Sequence, residues 1–391
     1  MPSTAPSPIN QQQLDRICDA HKRLLQGKPD GCLASLRDTD LQGLSLARRD
    51  LRDADLRGSI LTGCDLEGAD LRGARLAGAS LEQARLTAAR LDRADLRGCD
   101  LTGANLTAAR CAGADFRELA APSGDGSPAA SKSRATKLNA AVLSGAVLDQ
   151  ARLAGASAVG ARFEETRLAG ARFNRADLTG AVFANALFNS TSFASANLTD
   201  ADFRNTSEEH GDRSMATTKG LLVGRLPDEP ELPDLPPDTD DRSAQQRIDD
   251  HVLRVRTGGQ QGDPARLDGI DLRGVTGTAG AMLTALQAVR ANMSGLDLRG
   301  AELQGARLSQ ADLRGCDLRD SDLRGADLSG ANLSHADLRG ARLDPLALGG
   351  GRSVPTNLRG ARLRFADLRD CRLAGANTDH ADFGHARGAP A

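Results

Sequence analysis

Hydrophobic residues recur along most of the chain at a constant interval of five. Leucine or phenylalanine occupies every fifth position from Leu41 to Phe116, with Cys111 as a single replacement. The same interval continues, with a few lapses, in two later blocks that begin at Leu138 and Met293. A small residue, most often alanine, stands two places before most of these positions. The repeating unit therefore has five residues, of which two are apolar.

This period fits neither of the two regular elements. Five residues turn through about 500° on an α-helix, so successive leucines would spiral around every side. On an extended strand an odd interval places successive leucines on opposite faces. The chain must therefore bend once per pentad, which puts the leucine and the small residue inside and the other three residues outside. We expect a positive φ at the bend, two places after the leucine, where glycine is frequent, as at Gly58, Gly300 and Gly340.

The pentads resemble the pentapeptide-repeat family. The family pattern A(D/N)LXX occurs here as ADLRG at 69–73, 94–98, 311–315 and 336–340. The resemblance implies the family's fold, an all-β solenoid in the form of a right-handed quadrilateral β-helix with four pentads per coil. The period predicts only which residues point inward, and the number four comes from the resemblance. Residues twenty apart would then form ladders with rungs about 4.8 Å apart.

Changes of composition divide the chain into segments. The predicted order is a capping-helix segment at 1–35, a β-helix block at 36–120, a flexible loop at 121–137, a second block at 138–204, an acidic proline-rich linker at 205–242, a helical segment at 243–292 and a third block at 293–387. The linker is expected to be disordered because it combines proline with an excess of acidic residues.

Two of these segments begin with the sequence signature of a helix N-terminus. Asn10 with Gln13, and Ser243 with Gln246, have the spacing of a capping box, and apolar residues follow at helical intervals. An open end of a solenoid exposes unpaired backbone groups and an apolar core. We therefore predict that each helix covers the first coil of a β-helix.

The two capping segments look like copies of one module. Residues 21–43 and 251–274 each contain a histidine, a short helix end, glycines and the first weak pentads. This likeness indicates an internal duplication, with a helix followed by a β-helix in each copy. Apolar residues at helical spacing predict one further helix at 279–290.

The remaining apolar residues fit the interior. Four cysteines occupy the small inward position and are interpreted as buried side chains rather than reactive thiols: Cys64, Cys99, Cys316 and Cys371. Phenylalanines twenty residues apart predict two interior ladders, Phe163–Phe183–Phe203 and Phe173–Phe193. The seven cysteines form no CxxC pair, which argues against a disulfide framework or a zinc site.

Composition limits the possible functions. The chain has 52 acidic and 50 basic residues, a net charge of -2, nine phenylalanines and no tryptophan or tyrosine. Near neutrality and the lack of stacking side chains disfavour direct nucleic-acid binding. No enzyme motif is present, so we predict a protein that is not an enzyme, without catalytic residues, metal or cofactor. No signal peptide or transmembrane segment is recognised, which favours the cytoplasm, although a leaderless secreted protein would have the same features.

One predicted face of the third block carries the candidate docking residues. Twenty-residue coils would align Asp297, Asp317, Asp337 and Asn357 in one column, and Arg299, Arg319, Arg339 and Arg359 in another. The functional interpretation is a flat polar face for a partner. The alternative is a solvated wall on which the charges neutralise one another, with each pair worth about 0–1 kcal/mol.

Three functions remain open. The main hypothesis is a non-catalytic scaffold that binds a protein partner, with its oligomeric state unknown. The resemblance implies a second, because some members of the family mimic DNA and bind topoisomerases such as gyrase. B-DNA carries about one negative charge per 1.7 Å, whereas the pentad blocks here are nearly neutral, which disfavours mimicry. A secreted or translocated bacterial effector is the third.

Overall fold

The protein consists of two compact units, which are described separately. The structure is a computed structural model that describes residues 7–120, 133–206, 211–212, 216–223, 235, 238–349 and 351–390. The first unit comprises Met1–Glu229 and the second comprises Pro230–Ala391. The regular elements are β1 (Ser7–Pro8), α1 (Gln11–Leu25), β2 (Thr39–Asp40), β3 (Thr191–Ser192), β4 (Gly211–Asp212), α2 (Ala244–Arg256), β5 (Leu346–Gly349) and β6 (Arg352–Val354).

Most of each unit is a stack of coils joined by short parallel β-bridges. In the first unit Asp50 bridges Asp70, which in turn bridges Arg90. In the second unit Asp297 bridges Asp317 in the same way. The interval of twenty residues means that four pentads complete one coil, as the resemblance implied. The inward leucines and alanines are almost completely buried, which confirms the inward assignment of both positions.

The hydrogen bonds of one pentad explain the family pattern of residues. In the pentad Asp70–Ala74, the amides of Asp70, Leu71 and Gly73 donate to carbonyls of neighbouring coils at 2.7–3.0 Å. The amide of Ala74 donates across the bend to the carbonyl of Leu71. The remaining amide, of Arg72, donates to Oδ1 of Asp70 at 3.4 Å. Where aspartate or asparagine precedes the leucine, its side chain therefore accepts the one amide that the coils leave over.

The bend has the predicted backbone conformation. Gly58, Gly300 and Gly340 have φ values of 66°, 63° and 70°. Non-glycine residues adopt the same conformation elsewhere, for example Gln310 at 59° and Phe365 at 59°. Each of these side chains costs about 1–2 kcal/mol of backbone strain, which the bonds between coils offset.

The first two predicted blocks form one continuous stack. Asp100 bridges Lys137, 37 residues further on, and the twenty-residue interval then resumes. The intervening segment leaves the coil at Leu119 and returns at Arg134, where these two residues form an antiparallel bridge. The predicted flexible loop at 121–137 lies outside the described residues up to position 132.

The predicted end of the second block, at residue 204, is wrong. Asn197 bridges Thr217 and Asp202 bridges Leu222, so the stack extends into the segment that we assigned to the linker. β3 also pairs in parallel with β4. The pentads were missed there because Thr218 and Val223 replace leucine at the inward positions.

The acidic segment is also ordered at its other end, next to α2. The guanidinium of Arg247, only 5% exposed, donates to both carboxylate oxygens of Asp238 at 3.0 and 2.9 Å. It also donates to the backbone carbonyls of Arg242 and Arg266. Residues 238–242 are therefore part of the second unit and not of a disordered linker, which corrects the prediction. Most of residues 224–237 lie outside the described part of the chain.

Both predicted capping helices are confirmed. In each helix, a glutamine side chain pairs with backbone groups at the open edge of the β-helix. The capping boxes Asn10–Gln13 and Ser243–Gln246 are formed. In α1, the side-chain amide of Gln11 accepts from the amide of Ser45 and donates to its carbonyl, both at 2.9 Å. In α2, Gln245 contacts Thr276 in the same two ways. These bonds satisfy edge groups that a preceding coil would otherwise pair.

A buried histidine completes each cap. Nδ1 of His21 accepts from the amide of Ala34, and Nδ1 of His251 accepts from that of Ala265, both at 3.2 Å. Since Nδ1 is the acceptor, the proton of the neutral ring is on Nε2, which in His251 faces the carbonyl of Thr284 at 3.1 Å. The shared arrangement supports the predicted duplication.

The His251 contact makes the second unit sensitive to acid. Burial, together with the nearby positive charge of Arg254, lowers the pKa of His251. In the unfolded chain the pKa of histidine is about 6.5, so the unfolded state binds more protons than the folded state as the pH falls through that value. The contribution of His251 to the free energy of unfolding is therefore fully present above about pH 7 and decreases below it. We expect His251→Asn, whose side-chain oxygen can accept the same amide bond, to remove this part of the pH dependence in denaturant titrations at pH 7.5 and 5.5. An unchanged difference between the two pH values would contradict the assignment.

The helix predicted at 279–290 is not formed. These residues are pentads, in which Met282 bridges Glu302 and Gln287 bridges Arg307. Leu286 occupies the small inward position and Ala288 occupies the leucine position, and both are buried. The large and small inward residues have exchanged places in this pentad. The apolar spacing therefore resembles that of a helix, although the total volume of the two inward side chains is unchanged.

The segment near 344–356 contains an insertion between two coils of the second unit. Asp327 bridges Asn357 at an interval of 30 residues, so ten residues are inserted between two complete coils. Part of the insertion is an antiparallel hairpin of β5 and β6. Leu348, within β5, is 54% exposed.

The interior confirms the aromatic predictions. Phe163 and Phe183 stack with ring centres 4.7 Å apart, and Phe183 and Phe203 are 4.8 Å apart. In the second ladder Phe173 and Phe193 are 5.1 Å apart. These distances equal about one strand spacing, so each ring fills the same place in successive coils.

Candidate functional site

The aspartate and arginine columns predicted for the candidate docking face are aligned in the structure, but with a different fourth rung. Asp297 bridges Asp317, Asp317 bridges Asp337, and Asp337 then bridges Asp367. Asn357 lies instead in the column of Asp327, together with Arg359. The assignment of Asn357 and Arg359 to the ladder is therefore wrong, because the ten-residue insertion shifts every later pentad by two faces. The corrected ladder is Asp297–Arg299, Asp317–Arg319, Asp337–Arg339 and Asp367–Arg369.

Each rung of this ladder is a closed ion pair. Nε and Nη2 of Arg299 donate to the two carboxylate oxygens of Asp297 at 2.8 and 2.6 Å. The same Asp297 carboxylate accepts the backbone amide of Arg299 at 3.2 Å. Arg319 contacts Asp317 in the same manner. The aspartates are therefore first of all acceptors for the backbone, a role that the sequence analysis missed.

Neighbouring rungs also attract one another. Nε of Arg299 lies 3.6 Å from Asp317, and Nε of Arg319 lies 3.7 Å from Asp337. The hydrogen bonds from Arg319 and Arg369 lower the pKa of Asp317 and Asp367, so these carboxylates stay charged in mild acid. The wall is a chain of alternating charges with little net charge.

The ladder remains open to solvent. The side chains of Arg299 and Arg369 are 52% and 54% exposed, and Arg319 is 37% exposed. Each guanidinium keeps its Nη1 edge outside the bonds to its own aspartate. The arrangement can therefore offer hydrogen-bond donors at a regular spacing without a strong electrostatic field.

A second exterior ladder was missed. Phe365 is sandwiched between the rings of His335 and His385, each 5.1 Å from it and nearly parallel. The guanidinium of Arg364 lies 5.6 Å from the centre of the same ring. Phe365 is the bend residue of its pentad and faces outward, but the ten-residue insertion hid its alignment with His335. His385 follows Phe365 by twenty residues, whereas His335 precedes it by thirty, so only a search that allows both intervals finds the whole ladder.

The cysteines at the small inward position are packed in the interior of the coils. The thiol of Cys64 donates to the carbonyl of Leu41 at 2.8 Å, and that of Cys99 donates to Leu76 at 2.9 Å. Burial raises the pKa of Cys64 to about 11 and that of Cys99 to about 12. Cys316 is equally buried, whereas Cys371 is only partly buried. These thiols are protonated at neutral pH and therefore poor nucleophiles.

The described residues offer little further chemistry. Within these ranges, no three side chains of histidine, cysteine, aspartate or glutamate come together in a way that could hold a metal ion. No described helix is long and apolar enough to cross a membrane.

Comparisons with solved structures found proteins to which part of this chain is similar. HetL, which is involved in heterocyst differentiation regulation in the cyanobacterium Nostoc, is 31% identical with a TM-score of 0.27; the match covers 50% of this chain and 84% of HetL. QnrB1, a plasmid-mediated fluoroquinolone resistance protein, is 22% identical with a TM-score of 0.27 over 47% of this chain and 90% of QnrB1. Both are solved proteins to which this chain is similar. No curated protein sequence matches it.

A family model gives the assignment. The model described as pentapeptide repeats matches in eight copies, at residues 34–73, 50–87, 84–118, 134–170, 171–207, 280–320, 306–344 and 356–387. The copies span both units and cover well over half of the sequence. They coincide with the twenty-residue coils and with the pentads in which an aspartate accepts the spare backbone amide. On these grounds the chain belongs to the pentapeptide-repeat family, whose members fold as β-helices.

Proposed function

We propose that the protein is a non-catalytic scaffold, built on right-handed quadrilateral β-helices, that binds a protein partner through a flat polar face. The observation that carries the proposal is the corrected ladder from Asp297–Arg299 to Asp367–Arg369. Its donors are held at fixed intervals by bidentate ion pairs, so binding would not require the arginine side chains to be ordered anew.

The closed ion pairs favour this function over DNA mimicry. A DNA mimic needs a continuous row of uncompensated negative charges, about one per 1.7 Å of its length. Here Asp317 is bonded to Arg319 and lies near Arg299, so a cation separates successive carboxylates along the wall. A partner would therefore recognise short-range hydrogen bonds and shape.

The proposal is tested by a charge-removing variant of the full-length chain. We expect Arg299→Gln, Arg319→Gln and Arg339→Gln together to reduce capture of its protein partners about tenfold, since three donors are lost from one face. The control combines Arg52→Gln, Arg57→Gln and Arg72→Gln, which removes three arginines paired in the same way in the first unit. The measurement is quantitative mass spectrometry of captured proteins. Equal capture by both triple variants would exclude this face as the docking surface.

A further inference from the structure

A cleft in the first unit combines arginines from successive coils with a floor of small residues. We define the arginine cleft by Arg97, Arg117, Glu118, Ala154, Gly155 and Arg175, which line a volume of about 460 Å³. These residues occupy the two positions after the inward residue in four consecutive coils of one wall. Ala154 and Gly155 form the floor, because a methyl group and a hydrogen atom do not fill the space between Arg117 and Arg175.

The cleft has an excess of positive charge. Arg97 uses Nε and Nη2 to hold Asp95, with both bonds at 2.8 Å. The carboxylate of Asp115 is shared, because Arg117 and Arg152 each lie 2.9 Å from it. One carboxylate therefore faces two guanidinium groups, which leaves a positive charge without its own counterion.

Arg175 adds a second positive charge. No residue of the described chain forms an ion pair or hydrogen bond with its exposed side chain. Glu118 is the negative group of the lining, and its carboxylate accepts from the hydroxyl of Ser133 at 2.7 Å. The lining thus differs from the docking ladder of the second unit, where every rung contains an aspartate.

We propose that the arginine cleft binds an extended acidic peptide segment of a protein partner. This inference rests on the scaffold function and names the chemistry of a partner on a second surface. Arg117 and Arg175 are two coils apart, about 10 Å along the wall, so they are spaced to meet successive carboxylates and do not converge on one phosphate. Nη1 of Arg97 and of Arg117 takes no part in the bonds to Asp95 and Asp115 and can donate to the peptide.

Arg175 permits a test that does not endanger the fold. It has a φ of 58°, at the bend position where many pentads have glycine, so Arg175→Gly removes the charge and also relieves backbone strain. Arg93, exposed on a different wall, has a φ of 61°, and Arg93→Gly is the matched control with the same change in charge.

The experiment is fluorescence anisotropy of the full-length protein with a labelled ten-residue peptide of alternating aspartate and serine. We expect saturable binding by the wild type, about tenfold weaker binding by Arg175→Gly, and a change of less than about twofold in Arg93→Gly. Equal weakening by both variants, or no saturable binding, would overturn the proposal. Tighter binding of a peptide with a single phosphoserine and no aspartate would assign the cleft to phosphate instead. If the peptide does not bind but protein capture still depends on the ladder arginines, the cleft proposal fails and the scaffold function is retained.

Discussion

Ala326→Leu is expected to destabilise the second unit by about 3 kcal/mol, whereas Leu328→Met should cost less than about 1.5 kcal/mol. Ala326 and Leu328 are both completely buried, two residues apart in one coil. The neighbours of Ala326 in its column are Ala306 and Thr356, which are also completely buried. Parallel bonds hold the coils about 4.8 Å apart, so three additional carbons have no space between them. Methionine, in contrast, nearly matches the volume of leucine and adapts its shape.

The measurement is urea denaturation followed by circular dichroism, since the chain has no tryptophan or tyrosine to report by fluorescence. Gly330→Ala is not a suitable control because Gly330 has a φ of 65°. Ser329→Ala is better, as it changes an outward residue of the same pentad. If Leu328→Met proved as destabilising as Ala326→Leu, the separate roles of the large and small inward positions would be refuted.

The second large effect is expected in the aromatic interior of the first unit. Phe183→Ala should cost about 3–5 kcal/mol, because a buried ring is lost and a cavity remains. Phe183 contacts five other rings at centre distances between 4.7 and 5.9 Å. Rigid coils on both sides limit how far the interior can collapse around the missing ring.

Phe365→Ala provides the comparison, since the Phe365 ring stacks on two histidines at the surface of the second unit. We expect that variant to cost less than about 1 kcal/mol. The same denaturation experiment measures both. A loss of comparable size in the two variants would mean that the interior ladder is not the main source of stability at residue 183.

Much of the fold follows from the repeat, and the errors arise where the repeat is altered. The interval of five predicts the inward positions because no regular helix or strand can bury such a pattern on one side. It failed at Leu286 and Ala288, where the large and small residues are exchanged and the spacing resembles a helix. It also failed at Thr218, where a polar residue replaces leucine, so the end of the first stack was placed too early.

The candidate site was predicted less completely than the fold. The columns of Asp297 and Arg299 are correct for three rungs, because uninterrupted coils convert an interval of twenty directly into neighbours. The fourth rung depends on how many residues the hairpin adds, and a multiple of five leaves the pentad phase unchanged. Arg359 and Arg369 are therefore equivalent in the sequence pattern, and only the bridge from Asp337 to Asp367 distinguishes them.

The hydrophobic and polar pattern by itself determined which residues face the interior, where the bends lie and which helices cover the first coils. These features are local, because they depend on spacing within a few pentads and on the chemistry of caps and glycines. Only the tertiary structure decided which pentads become neighbours and which charges pair. Insertions such as 344–356 change the partner of every later residue without disturbing the period, and the pairing of Asp115 with two arginines depends on a coil that is 37 residues further along the chain.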